Sequence, residues 1–435
     1  MKRKAPFILA VVAVILGLMF PSFHSVNIAE NKIDTGDTAW LLVATALVLL
    51  MTPGLAYFYG GMVRRKNVLS TMLQSLVCMG VITVLWAIFG FSLAFGDDIG
   101  GIVGNPTTFF MMKGMVGNAV WPLAPTIPLV LFAMFQLKFA VITPALITGA
   151  FAERIRFNSY LIFICLFMMF IYAPLAHATW HPDGILFKQG VLDFAGGTVV
   201  HMSAGWAALA SALYLKGRNE PDHTPARISY VILGTGLLWF GWFGFNAGSA
   251  AGAGTLASTA LANTTTASAA AAMAWIFFDM FRGRKPSAMG ACIGAVVGLV
   301  AITPAAGYVT VPHSIVIGVV AAVVSSLVVI WRSRTKIDDT LDVFPCHGVG
   351  GMTGMLLTGI FATQQVNSAN TTGNGLYYGE TKLFLTHLMA LVVVSIFAFV
   401  GSYILLVVTN AISPLRVSSA EEEIGLDLTQ HGEEL

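Results

Sequence analysis

Charge is scarce in this chain: Asp, Glu, Lys and Arg together make up 10% of its 435 residues. Soluble domains carry about 25%, because their surface needs a solvated skin. The composition therefore excludes a water-soluble globular protein and places the chain in lipid. No basic tract is present to follow a phosphate backbone, and the formal net charge is only +2, which excludes a nucleic-acid partner. The four cysteines, Cys78, Cys165, Cys292 and Cys346, sit singly in apolar runs without CxxC or Cys/His spacing. They read as small core residues, and no metal or other cofactor is implied. A Walker loop, a nucleophile–base set and paired N-P-A motifs are missing too, which argues against an enzyme and against an aquaporin-like channel.

Apolar length is abundant instead, at 57% of residues. Eleven apolar segments lie at about 37–60, 68–96, 125–149, 158–179, 195–216, 229–249, 258–281, 288–303, 311–331, 343–363 and 383–413, against the roughly 20 residues a helix needs to cross a bilayer. Upstream, Met1-Lys2-Arg3-Lys4 is a basic start, and Pro6 to Phe20 is apolar but short of a comfortable span. That is the pattern of a secretory signal peptide over residues 1–30. No clear A-x-A site precedes Asn27 or Asn31, so a retained extra helix stands as the alternative to cleavage. The membrane domain then covers 37–413, and 414–435 is a short tail.

The basic residues orient this array. If the segment beginning near Thr38 runs from outside to inside, the cytoplasmic loops hold Arg64, Arg65 and Lys66, then Arg154 and Arg156, then Lys216, Arg218 and Arg227. Arg282, Arg284, Lys285, Arg332, Arg334, Lys336 and Arg416 follow on the same side. The outer loops hold only Lys32, Lys113, Lys188 and Lys382. The positive-inside rule then puts the processed N-terminus outside and the C-terminus in the cytoplasm.

Ionisable residues at membrane depth are costly and mark pathways. The fifth segment opens Asp193-Phe194-Ala195-Gly196-Gly197-Thr198-Val199-Val200-His201, and the tenth Asp342-Val343-Phe344-Pro345-Cys346-His347. Each runs from an acid to a histidine inside an apolar span. They lie five segments apart, as expected for two inverted five-helix repeats plus one extra helix, with a shared site near the midplane. One buried histidine alone is ordinarily a satisfied core residue; two in matching places describe a facing pair. Neutral imidazoles in an apolar channel are able to solvate or relay protons for a small polar molecule. Aromatics surround them: Phe139 in the third segment, Trp242, Phe243 and Phe245 in the sixth, and Trp180 after the fourth. Interfacial anchoring and cation–π capture of a small cation are both open for these rings.

The strings GWFGFNAGS (Gly241–Ser249), DFAGGTVVH (Asp193–His201), AERIRF (Ala152–Phe157) and FYGG (Phe58–Gly61), with the paired acid–histidine of the tenth segment, resemble the Amt/MEP/Rh ammonium transporters. The match runs in order from about Asp37 to Gly432, and DFAGGTVVH points to the bacterial Amt branch. The resemblance implies a homotrimer in the bacterial inner membrane, with one pore through each eleven-helix subunit. Trp180, with Phe139 and Ser249, matches the external site that recruits ammonium. Phe139 and Phe245 match the stacked phenylalanine gate, and His201 and His347 the twin histidines of the pore. Asp193 matches the aspartate that supports the recruitment site structurally. The tail segment Gly425–Glu433 resembles the family's cytoplasmic segment, which docks on the neighbouring subunit and helps to bind PII-family signal proteins. The acids Glu421–Glu423 read by themselves as a solvated, disordered end.

Two places depart from the family. Lys138, beside Phe139, is expected to face the subunit interface or to snorkel, since adjacent helical residues point about 100° apart. His181-Pro182-Asp183 after Trp180 replaces a more glycine-rich segment and is expected to add a titratable group at the mouth. The function expected is ammonium or ammonia conduction: recruitment outside, deprotonation near the gate, and passage along the histidine pair. The rivals are an ammonium receptor signalling through its tail, disfavoured because receptors carry an appended signalling domain, and a neutral gas channel.

Overall fold

Lipid offers a backbone no hydrogen-bond partner, so long apolar runs satisfy themselves as helices. The computed structural model describes residues 5–20, 33–117, 119–220 and 224–435. The helices are α1 (Ala5–Met19), α2 (Thr35–Met62), α3 (Arg65–Phe95), α4 (Leu129–Phe151), α5 (157–180), α6 (Gly197–Leu215) and α7 (Ile228–Gly248). Then come α8 (Thr255–Phe281), α9 (Ala288–Ile302), α10 (Val311–Arg332), α11 (344–361), α12 (Lys382–Ile412) and a short tail helix, α13 (Ser419–Ile424). Two small hairpins, Asp98–Ile99 with Val103–Gly104 and Val120–Trp121 with Ala124–Pro128, fill the α3–α4 connection. Among the described residues eight helices are long and apolar enough to cross a membrane: α2, α3, α4, α5 with its extension to Lys188, α6, α7, α10 and α12. The chain is a helical, multi-span membrane protein.

The third apolar segment starts later than the expected 125. Residues 124–128 read Ala-Pro-Thr-Ile-Pro and form a hairpin arm, because two prolines remove the N–H groups a helix would use. The leading helix α1 leaves Ile8, Leu9, Val14 and Leu18 exposed, and Phe20 just after it meets Phe110 edge-on at 5.3 Å. The basic start at Lys2-Arg3-Lys4 and the cleavage region at Asn27 and Asn31 lie outside the described residues.

Small residues set the packing. Gly234, Gly241 and Gly244 of α7 lie against Phe58, Met51 and Ala44 of α2, a close approach that replaces the hydrophobic force absent in lipid. At one end of the bundle four loops meet in an ionic network. Glu153 Oε2 accepts from Arg64 Nε at 2.8 Å and from Arg218 Nη1 at 2.9 Å, and Asp338 Oδ2 accepts from Arg218 Nε at 2.9 Å. Four of the loops expected to share the cytoplasmic side therefore converge.

The tail corrects the expectation of a disordered acidic end. Ser418 and Glu421 form a reciprocal capping box at the start of α13, which satisfies two helix-end donors at once. Glu422 is buried, taking bonds from Arg416 Nη2 at 2.8 Å and from the Asn219 N–H at 2.7 Å. Asp427 then accepts from the Leu69 and Ser70 N–H groups at 3.0 and 2.7 Å, so a tail carboxylate caps the start of α3 within the same chain.

Candidate functional site

Two helices begin with a wide π-helical turn, Gly197–Met202 and Phe344–Val349, and each such turn carries one of the paired histidines. Irregular turns of this kind recur at functional sites because they aim side chains a regular helix does not. Asp193 builds the first. Its Oδ1 accepts from the Gly196 and Gly197 N–H groups at 2.8 and 2.6 Å, and its Oδ2 from the Thr198 N–H at 2.7 Å and from the Thr198 hydroxyl. Gly196 stands at φ 121°, a conformation that an L side chain rarely adopts. Asp193 thus satisfies the free donors of a helix start buried in the bundle.

The second histidine turn is built by a residue the sequence reading passed over. Asp342 was paired with Asp193 there, but it stands at φ 56° and turns its carboxylate out to Arg332 Nε at 2.7 Å. Asp339 does the work instead: its Oδ2 accepts the Phe344 N–H at 2.7 Å, and the residue is fully buried. Asp339 precedes His347 by the same number of residues as Asp193 precedes His201. That equal spacing was the signal available.

His201 and His347 meet with Nδ1 atoms 3.3 Å apart and ring centroids 5.4 Å apart. Both are buried. If the two Nδ1 atoms share one hydrogen, one ring donates and the other accepts. The donor's Nε2 is then a bare acceptor and its partner's Nε2 an N–H, so the pair offers both kinds of group. His201 Nε2 is buried without a hydrogen-bond partner among the described residues. Trp242 stacks on His201 at 5.3 Å and 19°.

Beyond His201 the column continues in rings. Phe245 lies 6.0 Å from His201 and 4.2 Å from Phe139, centroid to centroid. Phe139 meets Trp180 edge-on at 6.1 Å, and the Trp180 indole N–H donates to the Asp193 carbonyl at 3.0 Å. Asp193 therefore holds Trp180 with its backbone and the His201 turn with its side chain. Ser249 donates its hydroxyl to the Phe245 carbonyl at 2.8 Å, on the same helix turn as the gate ring. Two narrow cavities both reach His347. The one beside Phe245 is lined by Phe58, Ile142, Leu146, Val200, Trp242 and both histidines. The other, lined by Tyr59, Met62, Leu341, Cys346 and His347, leads toward the ionic end. Among the described residues no group of three or more metal-ligating side chains occurs.

The two departures fall away from this column. Lys138 is half-buried and lines neither cavity. His181 is buried, not open at the mouth. It stacks on His177 at 4.3 Å, sits under Trp121 and accepts the Asp183 N–H at 3.0 Å. His177 in turn bonds the Ala94 carbonyl and Asp98, at 3.0 and 2.9 Å, and so pins the helix that ends in Trp180 to the Asp98–Gly104 hairpin.

The model of the Ammonium Transporter Family matches residues 39–435. The chain belongs to that family. It is 47% identical to a putative ammonium transporter of Methanothermobacter thermautotrophicus over 403 residues, covering 92% of this chain and 98% of the relative. The crystal structure of Candida albicans Mep2 superposes with a TM-score of 0.84 at 35% identity, over 90% of this chain and 88% of that one. The solved Sensor Amt Protein matches with a TM-score of 0.82 at 27% identity, over 91% and 98%. The Ammonium Transporter Family is a transport family, not an enzyme family, and the curated relatives are named as transporters.

Proposed function

We propose that this transporter-family chain recruits ammonium at Trp180, Phe139 and Ser249, passes it through the Phe139–Phe245 gate as ammonia, and conducts it along His201 and His347. The released proton either returns to water at the recruitment site, with no net current, or follows along the imidazole pair, with a net current. The observation that carries this reading is the Nδ1–Nδ1 contact of the two histidines in an apolar cavity directly past the close, tilted ring pair Phe139–Phe245. A cation leaving water needs compensation, and the face of Trp180 offers it through cation–π attraction. The apolar gate penalises charge, so the neutral species is the one that passes. Within the column the pair's Nε2 atoms replace the water that a small N–H molecule has lost, one as acceptor and one as donor.

All eleven helices from α2 to α12 cross the membrane in this reading, as two inverted halves plus α12. In the shorter members, turns at 303–309 extend α9, and the π turn lengthens α11. Residues 1–30 are a cleaved signal peptide, 37–413 the transport domain and 414–435 the cytoplasmic tail. The inner membrane is the home, a homotrimer the assembly and a PII-family protein the tail's partner, all three carried over from the resemblance. A receptor is the second reading, favoured by the likeness to the Sensor Amt Protein.

The test uses purified protein in liposomes on a supported membrane, pulsed with ammonium, methylammonium, potassium and sodium. A saturable ammonium current without alkali-ion current supports transport, and the His201→Ala/His347→Ala double variant should lose flux or selectivity. Equally selective uptake in the double variant would sink the role given to the pair. No current and no vesicle pH change would favour the receptor.

A further inference from the structure

A third buried histidine lies outside the conduction column. His387, on α12, has no exposed surface. Its Nδ1 lies 2.7 Å from the Met355 carbonyl, and its Nε2 lies 3.1 Å from the Leu192 N–H. A carbonyl only accepts and a backbone N–H only donates. The ring is therefore neutral, with its hydrogen on Nδ1 and a bare Nε2, and both nitrogens are used. The second bond matters because Leu192 sits in a non-helical stretch, where a buried N–H has no helical partner of its own.

Both partners lead to the site. Leu192 precedes Asp193, whose carbonyl takes the Trp180 indole and whose carboxylate caps the His201 turn. Met355 lies farther along the helix that carries His347. Close packing locks the junction: a Cβ on Gly359 would come within 3.2 Å of His387 Cβ. One imidazole on a helix that supplies neither pore histidine thus joins the segment of Trp180, Asp193 and His201 to the helix of His347.

We propose that His387 is a positioning residue, fixing the Asp193 segment against the His347 helix and so the spacing of Trp180 and the histidine pair. This rests on the reading of Trp180, His201 and His347 as the conduction path. A group displaced by an ångström loses much of its effect on a bound species, so the spacing is read out in transport.

The experiment compares ammonium-evoked currents of the purified full-length protein in liposomes with those of His387→Leu and His387→Gln. Leucine makes neither bond; glutamine accepts with its amide oxygen and donates with its amide nitrogen. The expected result is a half-saturating ammonium concentration raised about tenfold in His387→Leu, and one within about twofold of the parent in His387→Gln. Thermal midpoints of all three are measured, since a purely structural role would lower stability and active fraction without moving half-saturation. Parent-like half-saturation in His387→Leu overturns the proposal, as does an equal shift in both variants. If His387→Leu does not assemble, His387→Gln decides: near-parent half-saturation supports the role, and a tenfold shift at parent stability overturns it. The His201→Ala/His347→Ala variant separates the two levels. If it keeps selective current, the path itself is misread; if it loses current while His387→Leu is unaffected, only this inference fails.

Discussion

Gly205 and Gly348 bring the two histidine helices into backbone contact. A Cβ built on Gly205 would lie 2.1 Å from the Gly348 nitrogen and 2.2 Å from its Cα, a separation no side chain tolerates. Gly205 is one turn beyond His201, and Gly348 directly follows His347. The 3.3 Å Nδ1 separation is therefore set by backbones touching, and the contact admits no methyl group. Gly205→Ala is expected to cost about 2 kcal/mol, the usual scale of overpacking, and to push the imidazoles out of hydrogen-bond range. Current and thermal midpoint should both fall; parent-like current would show that the pair tolerates separation.

Asp339 gives a second expectation. Replacing it with alanine strands the buried Phe344 N–H, at a cost of about 1–3 kcal/mol, and loosens the turn that aims His347. Asn keeps a carbonyl oxygen to accept that hydrogen. Asp339→Asn should then assemble near parent level and Asp339→Ala should not, as judged by yield and melting in detergent. Equal behaviour of the two would remove Asp339 from the construction of the turn.

Those two positions mark what could be read from the sequence. Helical class and membrane residence followed from hydropathy alone, since lipid leaves the backbone few choices. Trp180, Phe139, Phe245, His201 and His347 were named from family motifs, and the structure brings all five into one column. Asp339 was missed because the nearer acid, Asp342, was paired by proximity to the motif, and only its left-handed φ turns it away. His181 was expected at the mouth because its ring–ring contact with His177 depends on a turn that composition does not reveal. The docked tail was hidden for a related reason: Glu422 and Asp427 find their partners at Asn219 and Ser70, far away in sequence.

The tail contact is testable apart from transport. Asp427 caps the start of α3 through two N–H groups, and loss of such a cap costs about 1 kcal/mol. Asp427→Ala should release the last turn, so that limited proteolysis of the membrane-embedded protein cleaves after about residue 417 sooner than in the parent. Unchanged cleavage would mean that Leu426, bonded to Asn67 Oδ1 at 2.8 Å, and Glu422, bonded to the Asn219 N–H, hold the tail without Asp427.

The ionic end predicts an acid limit. Burial alone pushes Glu153 up, but Arg218, together with the Arg64 N–H and guanidinium, outweighs it and holds the carboxyl below its usual range. Burial likewise raises Asp338, and its bonds to Arg218 with the nearby Arg154 outweigh that. A carboxyl depressed in the folded state stabilises fully above its unfolded pKa of about 4. That contribution is lost as pH falls through the lower folded value. The thermal midpoint should therefore stay level from about pH 7 to 5 and fall steeply below about 4. Glu153→Gln leaves the buried Arg218 and the partly buried Arg64 short of a carboxylate and should cost about 3 kcal/mol near neutrality. Glu153→Gln/Asp338→Asn should start lower and show a shallower acid decline, because the groups that titrate are gone. Parallel acid slopes for parent and double variant would place the acid sensitivity elsewhere in the chain.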